Sequence, residues 1–432
     1  MDRLNDATAQ RLPVRHVAAV VVGNALEFYD FLTYSYFAVY IGKAFFPSRD
    51  AASSLLLSLA TFGVGFLARP VGAMVIGTMG DRFGRKPAMI FSFSLMGGAI
   101  VALALTPSYA QIGWLAGALA ILFRLLQGFA LGGEVGPTTA YMIEAAPPSR
   151  RGFYASMQYT SQDIAVLVAG LVGTLLASRL DAQQLQDWGW RAAMLIGAAI
   201  VPFGLMLRRS LPETLHAAED AALAPDTGDG GKRVRLKPYA KLIVLGLVML
   251  TAGTIASYVL GYMTTYALAT LKMSATVAFG ATIVNGAFSV LFEPIAGWLT
   301  DRYGRKPVML IPGVVLLASI IPSFWVIAHF HTTMTFYGAV AWLTVVSALS
   351  ATPVIIWLTE SLPKSIRSGA VATVYAFAIS IFGGSTQPVI AALINLTKNP
   401  LAPAYYWSAA MFLGLIAMAM VDESAPGKLK KR

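Results

Sequence analysis

Long apolar runs, interrupted by Gly, Pro and clusters of charge, set the pattern of this chain. They predict membrane-spanning helices, because about 20 apolar helical residues cross the hydrocarbon core of a bilayer. Twelve are legible, at residues 17–42, 53–79, 88–106, 112–143, 153–177, 190–207, 242–270, 275–299, 308–328, 334–358, 370–393 and 403–421. The fourth is too long for one straight span, so its ends are expected to project into loops. The longest polar stretch, Arg208 to Lys241, carries Pro212, Pro225 and Asp229-Gly230-Gly231, and reads as a mostly disordered linker. The expected fold is all-α: a six-helix bundle at 1–207, the linker at 208–241, and a second six-helix bundle at 242–432.

Composition excludes several alternatives. Of 432 residues, 57% are hydrophobic and 12% charged, against roughly 25% charged in soluble domains. Most cytosolic enzymes and a single-pass receptor are ruled out. No Cys is present, which removes disulfides, thiolate nucleophiles and Cys-ligated metals. The net charge of +11 would suggest a nucleic-acid partner in a soluble protein, but its distribution argues otherwise. Of the 32 Lys and Arg residues, 24 fall in segments assigned to one side of the membrane. Six (Lys43, Arg49, Arg179, Arg191, Lys272 and Lys398) fall on the other, and Arg69 and Arg124 lie inside spans. This asymmetry predicts cytoplasmic termini, and no nucleic-acid surface. Residues 1–16 contain Asp2 and Asp6 and are not expected to be a cleavable signal. A phosphate-cradling G-x-x-x-x-G-K-[ST] loop is absent, so an ATP-driven pump is excluded. His329 and His331 fall in an outer loop, and no metal or cofactor is expected.

The chain repeats itself across the linker. G-x-x-x-D-R-x-G-R-K-P at Gly77, Asp81, Arg82, Gly84, Arg85, Lys86 and Pro87 recurs at Gly297, Asp301, Arg302, Gly304, Arg305, Lys306 and Pro307. Seven of eleven positions are identical at a constant offset of 220. A weaker pair sets Glu144, Pro147, Arg151 and Gly152 against Glu360, Pro363, Arg367 and Gly369. The first motif reads as a tight turn between two spans, in which Gly permits close approach and Asp meets a helix N-terminus. Taken once, it is equally a solvated topogenic loop.

The duplicated motif resembles the signature loops of the major facilitator superfamily. Further stretches are similar to its metabolite:proton symporter family. They are Gly23-Asn24-x-x-Glu27-x-x-Asp30-Phe31, Phe66-Leu67-Ala68-Arg69-Pro70-Val71-Gly72, Arg124-Leu125-x-Gln127-Gly128-Phe129, Gly132-Gly133-Glu134 and Arg208-Arg209-Ser210-Leu211-Pro212-Glu213-Thr214. Within the family, Ile41-Gly42-Lys43-x-Phe45-Phe46-Pro47 and Ile381-Phe382-Gly383-Gly384-x-Thr386 resemble citrate and tricarballylate carriers most. The resemblance implies that Gly77, Asp81, Arg82, Arg85, Glu144 and Arg151 act as an inner-gate latch. It implies the same for Asp301, Arg302, Arg305, Glu360 and Arg367.

Seven ionisable residues fall inside spans: Glu27, Asp30, Arg69, Arg124, Glu134, Asp163 and Glu293. A charge at the bilayer centre costs about 2.5–3.5 kcal/mol, so each is a functional candidate. Asn24, Glu27 and Tyr34 share a helical stripe, with Asp30 one step around. Carboxylates three residues apart sit about 5–6 Å from each other and share a proton readily; a structural hydrogen-bonded acid is the alternative. Arg124, Gln127 and Glu134 share a face in the fourth span, beside glycines that admit another helix. Arg124 either forks onto a substrate carboxylate or pairs with Glu134 or a first-span acid. Arg69 either contacts ligand or pairs with Glu27 or Asp30. Gln158 and Gln162 share a face in span five, whereas Asp163 and Glu293 depart from the family pattern and carry no assigned role. In span eleven, Gly383, Gly384 and Pro388 predict a broken helix, a pointer to a midplane site. Ser385, Thr386 and Gln387 there offer hydroxyl and amide groups, and a hinge or packing notch is the alternative.

The expected function is proton-coupled import of a small organic anion, with citrate first, by a monomer in a bacterial inner membrane. Arg69 and Arg124 would receive the anion, and Glu27, Asp30 or Glu134 would carry the proton. Competing readings are a symporter of dicarboxylates, shikimate-like acids or zwitterionic osmolytes, a drug exporter, and a substrate sensor that does not transport.

Overall fold

The computed structural model describes residues 25, 28–29, 31–83, 85–132, 148–198 and 237–425. They are helical throughout, connected by short turns. Residues 31–36 are helical and lead through Phe37 into α1 (Ala38–Phe45). Then come α2 (Ala51–Leu67), α3 (Arg69–Phe83), α4 (Arg85–Leu105), α5 (Leu115–Leu131), α6 (Arg151–Arg179) and α7 (190–198). After residue 236 follow α8 (Ala240–Ala269), α9 (Ala275–Tyr303), α10 (Arg305–Phe330), α11 (Thr333–Ser361), α12 (Lys364–Ala378), α13 (Gly384–Thr397) and α14 (Ala402–Met420).

Among the described residues, eight helices are long and apolar enough to cross a bilayer, and two shorter apolar helices accompany them. Their apolar surface faces outward. In α10 the mean hydropathy reaches 2.2, yet only 28% of that window is buried. Ile311, Val314 and Trp325 stand exposed on it. In water such a surface would aggregate, whereas lipid solvates it.

Local chemistry sets the helix ends. Asp50 caps α2, accepting from the N–H groups of Ala52 (3.2 Å) and Ser53 (3.1 Å). The Ser53 hydroxyl and these N–H groups hold its carboxyl below the usual carboxylate range. Ser274 caps α9 and Thr332 caps α11. Proline lies inside α9, α10, α11 and α13 without ending them; in a membrane, neighbouring helices can re-satisfy the freed carbonyls. The break expected in span eleven is instead a five-residue π-helical turn, Ile379–Gly383, between α12 and α13. The backbone stays hydrogen-bonded, and the extra residue only shifts the helix face.

The seam between residues 25–198 and residues 237–425 is closed by small residues. Helix α6 packs along the length of α9. Gly152 lies on Gly297 near one end and Gly286 on Leu167 midway. On the other flank α2 meets α13 at Gly63 and Gly384, where a Cβ on either would strike the other backbone.

Candidate functional site

The second copy of the repeated motif lies on two nearly continuous helices rather than in a loop. Helix α9 runs on to Tyr303 and α10 begins at Arg305, so the turn is Gly304 alone, at φ 102°. That conformation favours glycine. Arg305 sits at its centre with its side chain 1% exposed. Its Nε and Nη2 donate to both oxygens of Glu360 (3.0 and 2.9 Å), and its Nη1 donates to Asp301 Oδ1 (2.9 Å). Asp301 in turn accepts from the N–H groups of Gly152 (2.8 Å) and Phe153 (3.0 Å), in the first turn of α6. One carboxylate therefore binds a guanidinium at the start of the next helix and the positive end of a helix across the seam.

The segment after α14 completes this cluster. Glu423 accepts from the N–H groups of Arg305 (2.8 Å) and Lys306 (3.1 Å), capping α10. Ser424 donates to Glu360 (3.0 Å). Glu423 and Ser424 both lie past the last predicted span, 403–421, and an acid-serine pair there was the available signal. Arg302 points outward over Trp298 and Tyr303, and Arg151 Nε is buried without a partner. Asn24, Glu27, Asp30, Glu134 and Glu144 lie outside the described residues, as do the side chains of Gly77, Asp81, Arg82, Arg85 and Arg367.

A cavity of about 130 Å³ lies in the middle of the molecule, with walls from the first helical segment and α6 on one side and α8, α9, α11, α12 and α13 on the other. Of the residues singled out in the sequence, Gln162, Asp163, Glu293 and Gln387 line it. Gln162 Nε2 donates to the Tyr375 hydroxyl (3.4 Å). The Ser35 hydroxyl donates to Gln387 Oε1 (2.8 Å), tying the first span to span eleven. Thr386 is buried and bonds the carbonyl of Phe382, Ser385 is half-buried, and Gln158 is buried beside the cavity rather than on its wall. Sequence reading missed Tyr258, Asn285 and Ser289, which also line the cavity. The recurrence of Tyr258, Tyr262 and Tyr266 every four residues was the one visible signal, and such a stripe reads equally as packing.

The Ser35–Gln387 bond is a direct tie between the two parts of the chain. Ser35→Ala is expected to lower thermal stability by about 1 kcal/mol, since it leaves Gln387 Oε1 short of a donor. An unchanged melting curve would show that the tie contributes nothing.

Two arginines stand one layer behind the cavity wall. Arg124, fully buried, donates through Nη1 to Gln127 Oε1 (2.6 Å) and to the Phe31 carbonyl (3.4 Å), and through Nη2 to the Phe62 carbonyl (3.5 Å). The rings of Phe31, Tyr34 and Phe62 surround its guanidinium at 4.3, 4.7 and 4.9 Å. Arg69 lies between Phe31 (4.6 Å) and Phe66 (4.3 Å). Phe31 thus separates two cations that repel one another. Ring faces attract cations but supply no hydrogen-bond acceptor. Among the described residues, Arg69 Nε and Nη2 and Arg124 Nε are buried with no hydrogen-bond partner. Tyr258 and Tyr375, on the cavity wall, interact electrostatically with Arg69. This arrangement can hold an anion, because an anion supplies both the missing charge and the missing acceptors.

Comparison with known proteins agrees with this architecture. Residues 20–381 match the family model described as Major Facilitator Superfamily. The chain is 34% identical over 412 residues to a citrate-proton symporter of Klebsiella pneumoniae, covering 95% of this chain and 92% of that protein. It is 33% identical over 386 residues to an alpha-ketoglutarate permease of Escherichia coli strain K12, covering 89% and 88%. A crystal structure of a D-xylose-proton symporter superposes with a TM-score of 0.77 at 20% identity, over 95% of this chain and 98% of that one, and so shares the fold. The chain is an integral membrane protein belonging to the Major Facilitator Superfamily, a transporter and not an enzyme.

Proposed function

We propose that the protein is a proton-coupled symporter that imports a small organic anion, first of all a tricarboxylate such as citrate. Twelve spans in two pseudo-symmetric bundles, 1–207 and 242–432, rock about the central cavity, with residues 208–241 as the connector. The protein works as a monomer in a bacterial inner membrane, with both termini cytoplasmic. The observation that carries this reading is the pair of buried guanidiniums, Arg69 and Arg124, left with unpartnered nitrogens next to the cavity's tyrosines. A polyanion is the ligand class that answers two desolvated cations. Glu27, Asp30 and Glu134 are the carboxyls proposed to carry the proton. The Asp301–Gly152 contact is proposed to be the latch of the cytoplasmic gate, with Asp81 as its counterpart in the first copy of the motif.

The test is uptake of labelled citrate into proteoliposomes under an inward proton gradient, with a protonophore control. Accumulation that the protonophore abolishes and tricarballylate blocks is the expected result. Transport of 2-oxoglutarate, shikimate or proline betaine in place of citrate would retain the symporter and overturn the tricarboxylate. No transport of any of them by folded protein would overturn the symporter reading itself.

A further inference from the structure

Asp163 on α6 and Glu293 on α9 are 130 positions apart in sequence but meet across the seam. Both line the central cavity. The register of α6 on α9, with Gly152 on Gly297 and Leu167 on Gly286, sets the two carboxyl groups opposite one another, and they interact electrostatically. Glu293 is 6% exposed, and among the described residues its Oε2 has no hydrogen-bond partner. The groups around the pair are phenols: Tyr36 from the first helical segment, Tyr159 from α6, Tyr258 from α8 and Tyr375 from α12. Helix α11 contributes hydroxyls and apolar groups. Among the described residues, no Arg, Lys or His lines this cavity.

Two carboxylates this close, with no cation against them among the described residues, repel strongly when both are ionised. One proton between them converts the repulsion into an O–H···O hydrogen bond. From this geometry we infer that Asp163 and Glu293 hold one exchangeable proton across the seam, and that this proton has to be in place before the anion enters. The inference rests on the organic-anion reading. Counting these four groups alone, Arg69 and Arg124 supply two positive charges, and the ionised pair cancels both. Adding one proton from water leaves the pair with a single negative charge and the site with a net positive one. Only that site attracts an anion. A proton that must precede the substrate, and leave with it, couples the two flows.

Two measurements on the full-length protein in liposomes test this. The first follows the infrared carbonyl stretch of protonated carboxyl groups as pH is lowered, without substrate. The double variant D163N/E293Q is expected to lose one titrating band, and each single variant to shift its frequency. An unchanged band in the double variant overturns the shared proton. The second compares citrate exchange at equal pH with accumulation driven by a pH gradient, at clamped zero potential. With one proton per anion, one pH unit sustains up to about tenfold accumulation. Glu293→Gln keeps the hydrogen bond but fixes its proton, so exchange should persist while accumulation falls to parity. Tenfold accumulation by both E293Q and D163N overturns the coupling role and returns it to the acids of the first and fourth spans. Wild-type protein inert towards citrate overturns the tricarboxylate reading alone, and the infrared band then decides whether the pair holds a proton.

Discussion

Arg305→Ala is expected to lower the free energy of unfolding by about 3–5 kcal/mol, the usual consequence of removing one partner from a buried ion pair. The side chains of Asp301 and Glu360 are only 9% and 5% exposed, and Arg305 meets both. Without it, two carboxylates remain buried in a protein that cannot readily hydrate them. The backbone cap from Glu423 to residue 305 uses the N–H group and survives the substitution, so the loss reports on the guanidinium. A second substitution checks the assignment. Adding Glu360→Gln to Arg305→Ala should restore part of the stability, because it removes an orphaned charge. Denaturant unfolding of the purified variants measures both. A cost below about 1 kcal/mol for Arg305→Ala would place this cluster with exposed salt bridges and contradict its burial. The variant should also loosen the seam, since Arg305 positions the carboxylate that binds the N–H groups of Gly152 and Phe153.

The second large effect concerns transport. Arg69→Gln is expected to weaken binding of citrate by about ten- to hundredfold, the equivalent of about 1.5–3 kcal/mol for a lost charged hydrogen bond. Arg69→Lys should fall between, because an ammonium keeps the charge but cannot fork onto a carboxylate. Stability should move the other way. Arg69 is buried with two nitrogens unpartnered, so a neutral replacement removes a desolvated charge and should leave the melting temperature unchanged or raised. This combination separates an anion site from a packing role, in which stability and uptake would fall together. Full uptake by Arg69→Gln would remove Arg69 from the site.

Much of the fold is legible from the chain because a bilayer tolerates few solutions. Backbone polar groups in lipid must be satisfied within the helix, so long apolar runs map onto long helices almost residue for residue. The run read at 275–299 is α9, Ala275–Tyr303, and the run at 153–177 is α6, Arg151–Arg179. The family was equally legible, since a motif duplicated at a fixed offset constrains the reading more than any single motif. The site was less so. Gln162 and Gln387 line the cavity, but Tyr34, Arg124 and Gln127 belong to a layer behind it.

What the sequence determined by itself was therefore the long apolar helices, the family and the presence of charges that lipid does not tolerate alone. Which charges meet was decided by the tertiary structure. Helical periodicity assigns a residue to one face of its own helix and is silent on what that face meets. Asp163 and Glu293 gave no sign of each other until α6 lay along α9. Arg69 and Arg124 read as ligand contacts or as partners of an acid, with no sign that Phe31, Phe62 and Phe66 close around them. Glu423 became a helix cap only because α14 returns the chain to Gly304, where an orphaned helix N-terminus required an acceptor.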